Sequence, residues 1–334
     1  ESIKIEELTV GRKPAFWKLD GELRQQNNKY AEAFHSFKKM NEQVTLSHDY
    51  KHEEARDYFA SQEETLAQLR ESKDKTLNLT GYVAAWAQPI FLIGFPRSGT
   101  TLLDTVLRTH SSIDVVEERP MVSAMEEALA DLSLSAIEGI GPQDAKKISG
   151  VYFNELDKHL ELGKGALDVE KLPLNIFRLP LINRIFPQAR YILALRHPLD
   201  CVLSCLMQNF QLNAAMANMV NLNQIAELYN MSMETLRLCQ ARYDLDVCTT
   251  RYEDLVEDFD AEVQKILRFL GLNWEQTLSN YRETALARGK INTPSYHQVT
   301  KPIYKNAAYR WRNYEEFLVG QKKKLQPWID KFGY

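Results

Sequence analysis

Cysteine is scarce in this chain of 334 residues: there are four, Cys201, Cys205, Cys239 and Cys248. Their spacing fits no zinc motif, and two cysteines four apart on a helix are badly placed for a disulfide. They read as small buried apolar residues in a reducing compartment. No apolar run approaches the length of a membrane span and no signal peptide is visible, so a cytoplasmic location is expected. Positive charge is not in excess either. With 41 Lys and Arg against 45 Asp and Glu the net charge is −4, which gives no reason to expect nucleic acid or an anionic membrane as the main partner. A bound anion must therefore be held by a local cluster. No second histidine stands at metal-binding spacing from His197, and no metal is expected.

What is present has the texture of a soluble globular protein, 44% hydrophobic and 26% charged, long enough for one catalytic domain and an appendage. From Pro14 to Ser72 glycine is nearly absent and apolar residues recur at helical spacing. "PAFWKLDGELRQQNNKYAEAFHSFKKMNEQV" predicts two helices joined near Asn27 and Asn28, with Tyr30, Ala33, Phe34 and Phe37 on one face of the second. "HEEARDYFASQEETLAQLRES" predicts a third. The order Trp17, Leu19, Gly21, Tyr30, Ala31, Phe34 resembles one tetratricopeptide repeat. One such unit cannot bury its own face, so it reads as the end of an array, a lid on the next domain, or an ordinary helical hairpin.

From Pro89 short apolar runs alternate with helical patterns. Five of them read as strands: "IFLIG" (90–94), "IDVV" (113–116), "ALDVE" (166–170), "RYILAL" (190–195) and "DVCTTR" (246–251). Such alternation predicts an α/β fold of three layers, P-loop-like, with a central parallel sheet of about five strands. The expected division is a helical, tetratricopeptide-like segment over 1–85 and a catalytic domain over 86–334. Ligands of these sheets bind beyond the carboxyl ends of the strands, so the residues just past each strand's end matter most.

The first strand runs into "GFPRSGTTLL". Gly94 and Gly99 allow tight turns, the helix starting near Thr100 adds its positive end, and Thr100 and Thr101 add hydroxyls. A nucleotide triphosphatase would carry lysine at Thr100. Here the cation is Arg97, whose planar guanidinium grips an oxyanion through paired hydrogen bonds. That favours one phosphate, or a phosphate bearing one more anionic group, over a magnesium-bound triphosphate.

After the second strand come Glu117, Glu118 and Arg119, a candidate base for an incoming hydroxyl. "EKLPLN" places Lys171 at the same edge, and "LRHPLDCVLS" closes the fourth strand with Arg196 and sets Ser204 almost two turns into a helix, a second anion site. His197 reads as a turn residue. Tyr252, in "RYEDLVED", is placed to stack on a base or bond a phosphate. Between Thr293 and Tyr314, Lys301, Lys305, Arg310 and Arg312 mix with aromatics and read as a basic flap, whereas Lys322 to Lys324 read as a solvated helix face.

Together "FPRSGTTLL" and "RHPLDCVLS" resemble the two motifs of sulfotransferases that use 3′-phosphoadenosine 5′-phosphosulfate (PAPS): the 5′-phosphosulfate loop and the 3′-phosphate motif, an arginine followed eight positions later by serine. The resemblance covers 90–311. "EERP", "EKLPLN", "RYEDLV" and "HQVTKP" make it strongest to bacterial tetratricopeptide-repeat sulfotransferases and tyrosylprotein sulfotransferases. It implies that Arg97, Ser98, Gly99, Thr100 and Thr101 hold the phosphosulfate, that Glu118 is the general base, and that Lys171 and Ser295 attend the leaving phosphate oxygen. Arg196 and Ser204 would take the 3′-phosphate, with Tyr252, Lys301 and Arg310 completing the pocket. The expected reaction is in-line sulfuryl transfer from PAPS to a hydroxyl or amine, leaving adenosine 3′,5′-bisphosphate.

Two departures stand out. Pro120 follows "EER" where the tyrosylprotein enzymes carry arginine, which argues against tyrosine in acidic peptides as the acceptor; Arg310 stands where they carry lysine. The acceptor is left open among protein, carbohydrate, lipid and small molecule, and the helical segment leaves room for a protein partner. Two rival readings are a divergent P-loop kinase using Mg-ATP and a catalytically inactive helical-repeat binding protein.

Overall fold

The computed structural model describes residues 8–72, 87–160, 166–287 and 308–334. Three helices come first: α1 (Lys13–Gln26), α2 (Tyr30–Thr45) and α3 (His52–Glu71). Strand β1 (Ile90–Gly94) leads to α4 (Thr100–Thr109), and β2 (Ile113–Glu117) to α5 (Met121–Glu127), α6 (Leu134–Gly139) and α7 (Pro142–Leu156). Then come β3 (Leu167–Lys171), α8 (Leu179–Ile185), β4 (Arg190–Leu195), α9 (Pro198–Leu206) and α10 (Leu222–Arg242). The chain continues through β5 (Asp246–Arg251), α11 (Tyr252–Glu257), α12 (Phe259–Leu270), α13 (Tyr281–Ala287) and α14 (Val319–Phe332). Among the described residues no helix is long and apolar enough to cross a membrane.

The chain divides into two compact units. One gathers Glu64–Arg196 and Ser232–Lys305; the other gathers Glu1–Glu63, His197–Met231 and Asn306–Tyr334. The first holds the sheet, five parallel strands in the order β2-β3-β1-β4-β5. β1 is buried at every position, as an all-parallel sheet covered on both faces requires. On one face Ile90, Leu92, Val115, Val169 and Ile192 pack against Leu103, Val106 and Leu107 of α4 and Val263, Ile266 and Leu267 of α12. On the other, Phe91 stacks on Tyr191 at 5.8 Å and meets the rings of Tyr152 and Phe186. The three-layer α/β architecture with its parallel five-stranded sheet is therefore as expected, and each expected strand lies within one residue of the observed one.

In the other unit α1 and α2 form the expected helical hairpin, turning at Asn27 to Lys29. Phe34 of α2 stacks on Phe317 with centroids 4.3 Å apart, and the Tyr314 hydroxyl donates to Gln25. Asn41 donates its side-chain amide to the Leu206 carbonyl at 2.7 Å, satisfying an acceptor at the last turn of α9. His197 caps α9: its Nδ1 accepts from the Leu199 N–H, and its ring stacks on Trp311 at 4.9 Å. All four cysteines are buried.

Candidate active site

In a sheet of this order the tips of β3, β1 and β4 lie side by side, so the residues just beyond them share one edge. The β1 loop is built by backbone constraints. A side chain at Gly94 would come within 2.5 Å of the Ala194 carbonyl oxygen on β4, and one at Gly99 within 3.0 Å of the Tyr252 ring. Gly99 caps α4 with φ +103°, in the region that favours glycine. Arg97 holds φ +72° without being glycine, a strained conformation of the kind that gathers at ligand sites. Ser98, Thr100 and Thr101 are all buried. The first-turn amides of a helix have no intrahelical acceptor and point out of its N-terminus.

This cradle fits an anion. The Ser98 hydroxyl oxygen is buried and has no hydrogen-bond partner among the described residues, a cost that a ligand oxygen would remove. Beside it, Arg196, the residue after β4, donates from Nη1 to the Arg97 carbonyl at 3.3 Å. Its guanidinium lies 4.9 Å from the centroid of the Tyr252 ring, the same ring that excludes a side chain at Gly99. The loop, Arg196 and Tyr252, chosen from three separate motifs, thus meet in one place.

Across β1, the tips of β2 and β3 supply a second cluster. Glu117 ends β2 and Lys171 ends β3, in direct cross-strand register. Lys171 is therefore the last strand residue and not, as the sequence suggests, the one after it. Its Nζ donates to Glu117 Oε1 and to Glu118 Oε1, both at 2.7 Å. Lys171 has no exposed surface, Glu117 keeps 12% and Glu118 43%. Burial alone would lower the lysine's pKa, but the Glu118, Glu117 and Asp104 charges outweigh it and hold the group above its ordinary value. Glu118 lies one residue beyond the strand at φ +50°, its N–H bonded to the Lys171 carbonyl at 2.9 Å. The result is one exposed carboxylate, able to reach an acceptor, beside one buried cation.

Ser204 and Arg310 belong to the other unit. Ser204 is buried in α9, and Arg310 opens a short 3-10 helix, Arg310–Phe317. The last residues of the expected flap are thus helical turns, not an irregular loop. Asp200 of α9 accepts from the Trp311 N–H at 2.9 Å, which ties that segment to α9. Ser295, Lys301 and Lys305 lie outside the described residues.

Three polar residues near the strand tips escape a reading by motif. Asp104, fully buried on α4, pairs with Arg108 at 2.9 Å and feeds the field at Lys171. A charged residue inside "TTLLDTVL" is the signal that could have found it. Glu170 and Asn175, both buried, bond to each other at 2.7 Å on the opposite side of β3 from Lys171. They sit in "EKLPLN", where only the lysine drew attention.

The model for the Sulfotransferase family matches residues 89–276, more than half of the chain, and the chain belongs to that family. It is similar to an uncharacterized protein of Aquifex aeolicus, 28% identical over 73% of this chain. The chain spans only 34% of that protein. Protein-tyrosine sulfotransferase 2 of Gallus gallus is 26% identical over 73% of this chain and 69% of its own length. Among solved structures, the sulfotransferase domain from the curacin biosynthetic pathway aligns with a TM-score of 0.48 at 19% identity, over 68% of this chain and 91% of that one.

Proposed function

We propose that the protein transfers the sulfuryl group of PAPS to an acceptor hydroxyl, with Glu118 as general base. The observation that carries this reading is the meeting of the Arg97 loop, Arg196 and Tyr252 at one edge of the sheet, beside the Lys171–Glu118 pair. PAPS would supply an activated sulfuryl group on a phosphate leaving group. Arg97, Ser98 and the amides of Gly99, Thr100 and Thr101 would hold the phosphosulfate end, and Arg196 with Ser204 the 3′-phosphate. Arg97 and Lys171 neutralise charge as it moves toward the leaving oxygen, and Glu118 takes the proton of the attacking hydroxyl. Lys171 can serve only if its hold on the glutamates loosens as the donor's charge arrives. The resemblance would give Ser295 a role at the leaving oxygen and Lys301 and Arg310 roles toward the donor.

The acceptor belongs to the same proposal. Protein-tyrosine sulfotransferases are among the relatives, but Pro120 after the glutamates and Arg119 favours a hydroxyl other than tyrosine in an acidic peptide.

Calorimetric titration with adenosine 3′,5′-bisphosphate, without magnesium, tests the donor site. Saturable binding that Arg196→Ala abolishes is expected; stabilisation by Mg-ATP and not by the bisphosphate would instead mark a kinase. Radiolabelled PAPS with a panel of protein, carbohydrate, lipid and phenol acceptors then tests transfer, which Glu118→Gln should remove while bisphosphate binding persists.

A further inference from the structure

Behind the strand tips, one buried polar chain has no role in the proposed reaction. Asn175 Nδ2 donates to Glu170 Oε1 at 2.7 Å, and its Oδ1 accepts from Arg178 Nη1 at 3.3 Å. Arg178 goes on to donate from Nε to Glu126 at 2.8 Å and from Nη2 to Ser123 at 3.3 Å. Glu126 and Ser123 are on α5, which begins three residues after Glu118. Glu170 is the residue before Lys171. The chain therefore joins the strand that carries the buried cation to the helix next to the exposed carboxylate.

We propose that Glu170, Asn175 and Arg178 are positioning residues, a brace that fixes the Glu118 segment against Lys171. The directionality is forced. A guanidinium only donates, so Asn175 must turn its oxygen to Arg178 and its amide nitrogen to Glu170. Asn175 is fully buried and Glu170 nearly so, so the bond between them cannot be exchanged for water without opening the fold. Glu118 itself is held by the 2.9 Å bond of its N–H to Lys171 and by a left-handed backbone. Strained segments persist only where their surroundings over-determine them, and the brace is the connection from α5 back to β3 that does so. Its arrangement also matches its chemistry: a carboxyl, an amide and a guanidinium in series transmit position without placing a free charge near the anion site.

The groups facing Glu170 come from several elements. Tyr152 approaches from α7, Asp168 stands two residues back on β3, and Arg178 lies behind Asn175 with Glu126 beyond it. Tyr191 occupies the same sheet face across β1, through the paired positions Glu170, Phe91 and Tyr191. Arg178 is the cation among these, and it touches Asn175 rather than Glu170. Burial pushes the Glu170 carboxyl up to about 7 against the hydrogen bonds from Asn175 and Tyr152. An aspartate at position 175 would set two carboxyls face to face, tolerable only while they share a proton.

The test uses Asn175→Ala and Asn175→Asp, with two readouts. Amide exchange over 117–127 reads the brace itself, without catalysis. Loss of one buried bond should speed opening there roughly tenfold in Asn175→Ala. Asn175→Asp should do so at about pH 8 yet exchange like the parent at about pH 5.5, after correction for intrinsic rates. The kinetic readout rests on the sulfuryl-transfer reading: kcat should fall about tenfold while bisphosphate affinity holds within about twofold, because the brace touches the acceptor side only. Unchanged protection of 117–127, a pH-independent Asn175→Asp, or bisphosphate affinity lost along with protection would each overturn the brace. A parent protein that binds no bisphosphate would overturn the sulfuryl-transfer reading alone, and the exchange result would still decide the brace.

Discussion

Replacing Glu170 by glutamine should make the protein more stable at neutral pH and leave the gain absent in acid. Glu170 is 1% exposed, bonded by Asn175 on one oxygen, while its Oε2 finds no partner among the described residues. Its carboxyl rises from an ordinary 4.5 to about 7, chiefly through burial. Below about 4.5 the group is protonated in folded and unfolded chains alike, so it contributes no pH dependence. Between 4.5 and about 7 the unfolded chain releases the proton and the folded one keeps it, so stability falls as pH rises. Above that window both forms are ionised and the folded state bears the full penalty, about 3 kcal/mol.

Glutamine keeps the acceptor for Asn175 and cannot ionise. The stability of Glu170→Gln relative to the parent should therefore climb through the same window and level off above it. The plateau should lie about 3 kcal/mol, or roughly 5–10 °C in Tm, above the acid value. Any constant cost of the substitution, in packing or in the bond from Tyr152, shifts the whole curve without changing its slope. Asp168, whose own carboxyl is raised mainly by burial, is present in both proteins and cancels in the difference. Urea unfolding at half-unit pH steps is the assay. A difference that stays flat across the window, or one that grows toward acid, would refute the reasoning.

Two more perturbations probe the other side of the sheet. Gly99→Ala forces a side chain onto φ +103° and to within 3.0 Å of the Tyr252 ring; a stability loss of about 1–3 kcal/mol is expected. Bisphosphate affinity should fall with it, by titration, because the same ring lies under Arg196. Lys171→Met removes the cation shared by Glu117 and Glu118 at 2.7 Å. It should abolish transfer and cost up to about 3 kcal/mol, less than for a fully buried pair because Glu118 can turn to water.

Much of the fold is legible in the chain because it depends on local pattern. Runs such as "IFLIG" are apolar throughout because both faces of a central parallel strand are covered. Arg97 and Gly99 are legible because a glycine loop before a helix has few other uses. What pattern does not carry is the partner of each polar residue. Nothing in "EKLPLN" distinguishes the side of β3 that faces α4, with Lys171, from the side that faces α7, with Glu170. The alternation does so only once the strand's end is known, and the expected strand stops one residue early. Long-range packing is equally silent. The change of texture near residue 85 suggests a boundary there, whereas Asn41 bonds Leu206 across 165 positions and the helical hairpin packs with segments from two later stretches.

The backbone carries a signal of its own. Among the described residues four that are not glycine have positive φ: Asn28, Arg97, Glu118 and Tyr309. Asn28 sits in the α1–α2 turn, where asparagine tolerates that conformation well. The other three are bulky, and each costs of order 1–3 kcal/mol to hold. Two are the proposed cation and base, and the third immediately precedes Arg310. Selection for stability would place glycine or asparagine at such positions. Arginine and glutamate at the strand tips make sense only if the side chain is needed there and the turn is needed as well. Each is tethered accordingly, Arg97 through its carbonyl to Arg196 and Glu118 through its N–H to Lys171. Arg97 is thus held by a guanidinium and Glu118 by the backbone carbonyl of its neighbour in the sheet. An anion that drew the Arg196 guanidinium away would loosen the turn that presents Arg97, whereas the bond that holds Glu118 runs from backbone to backbone and survives any movement of the Lys171 ammonium.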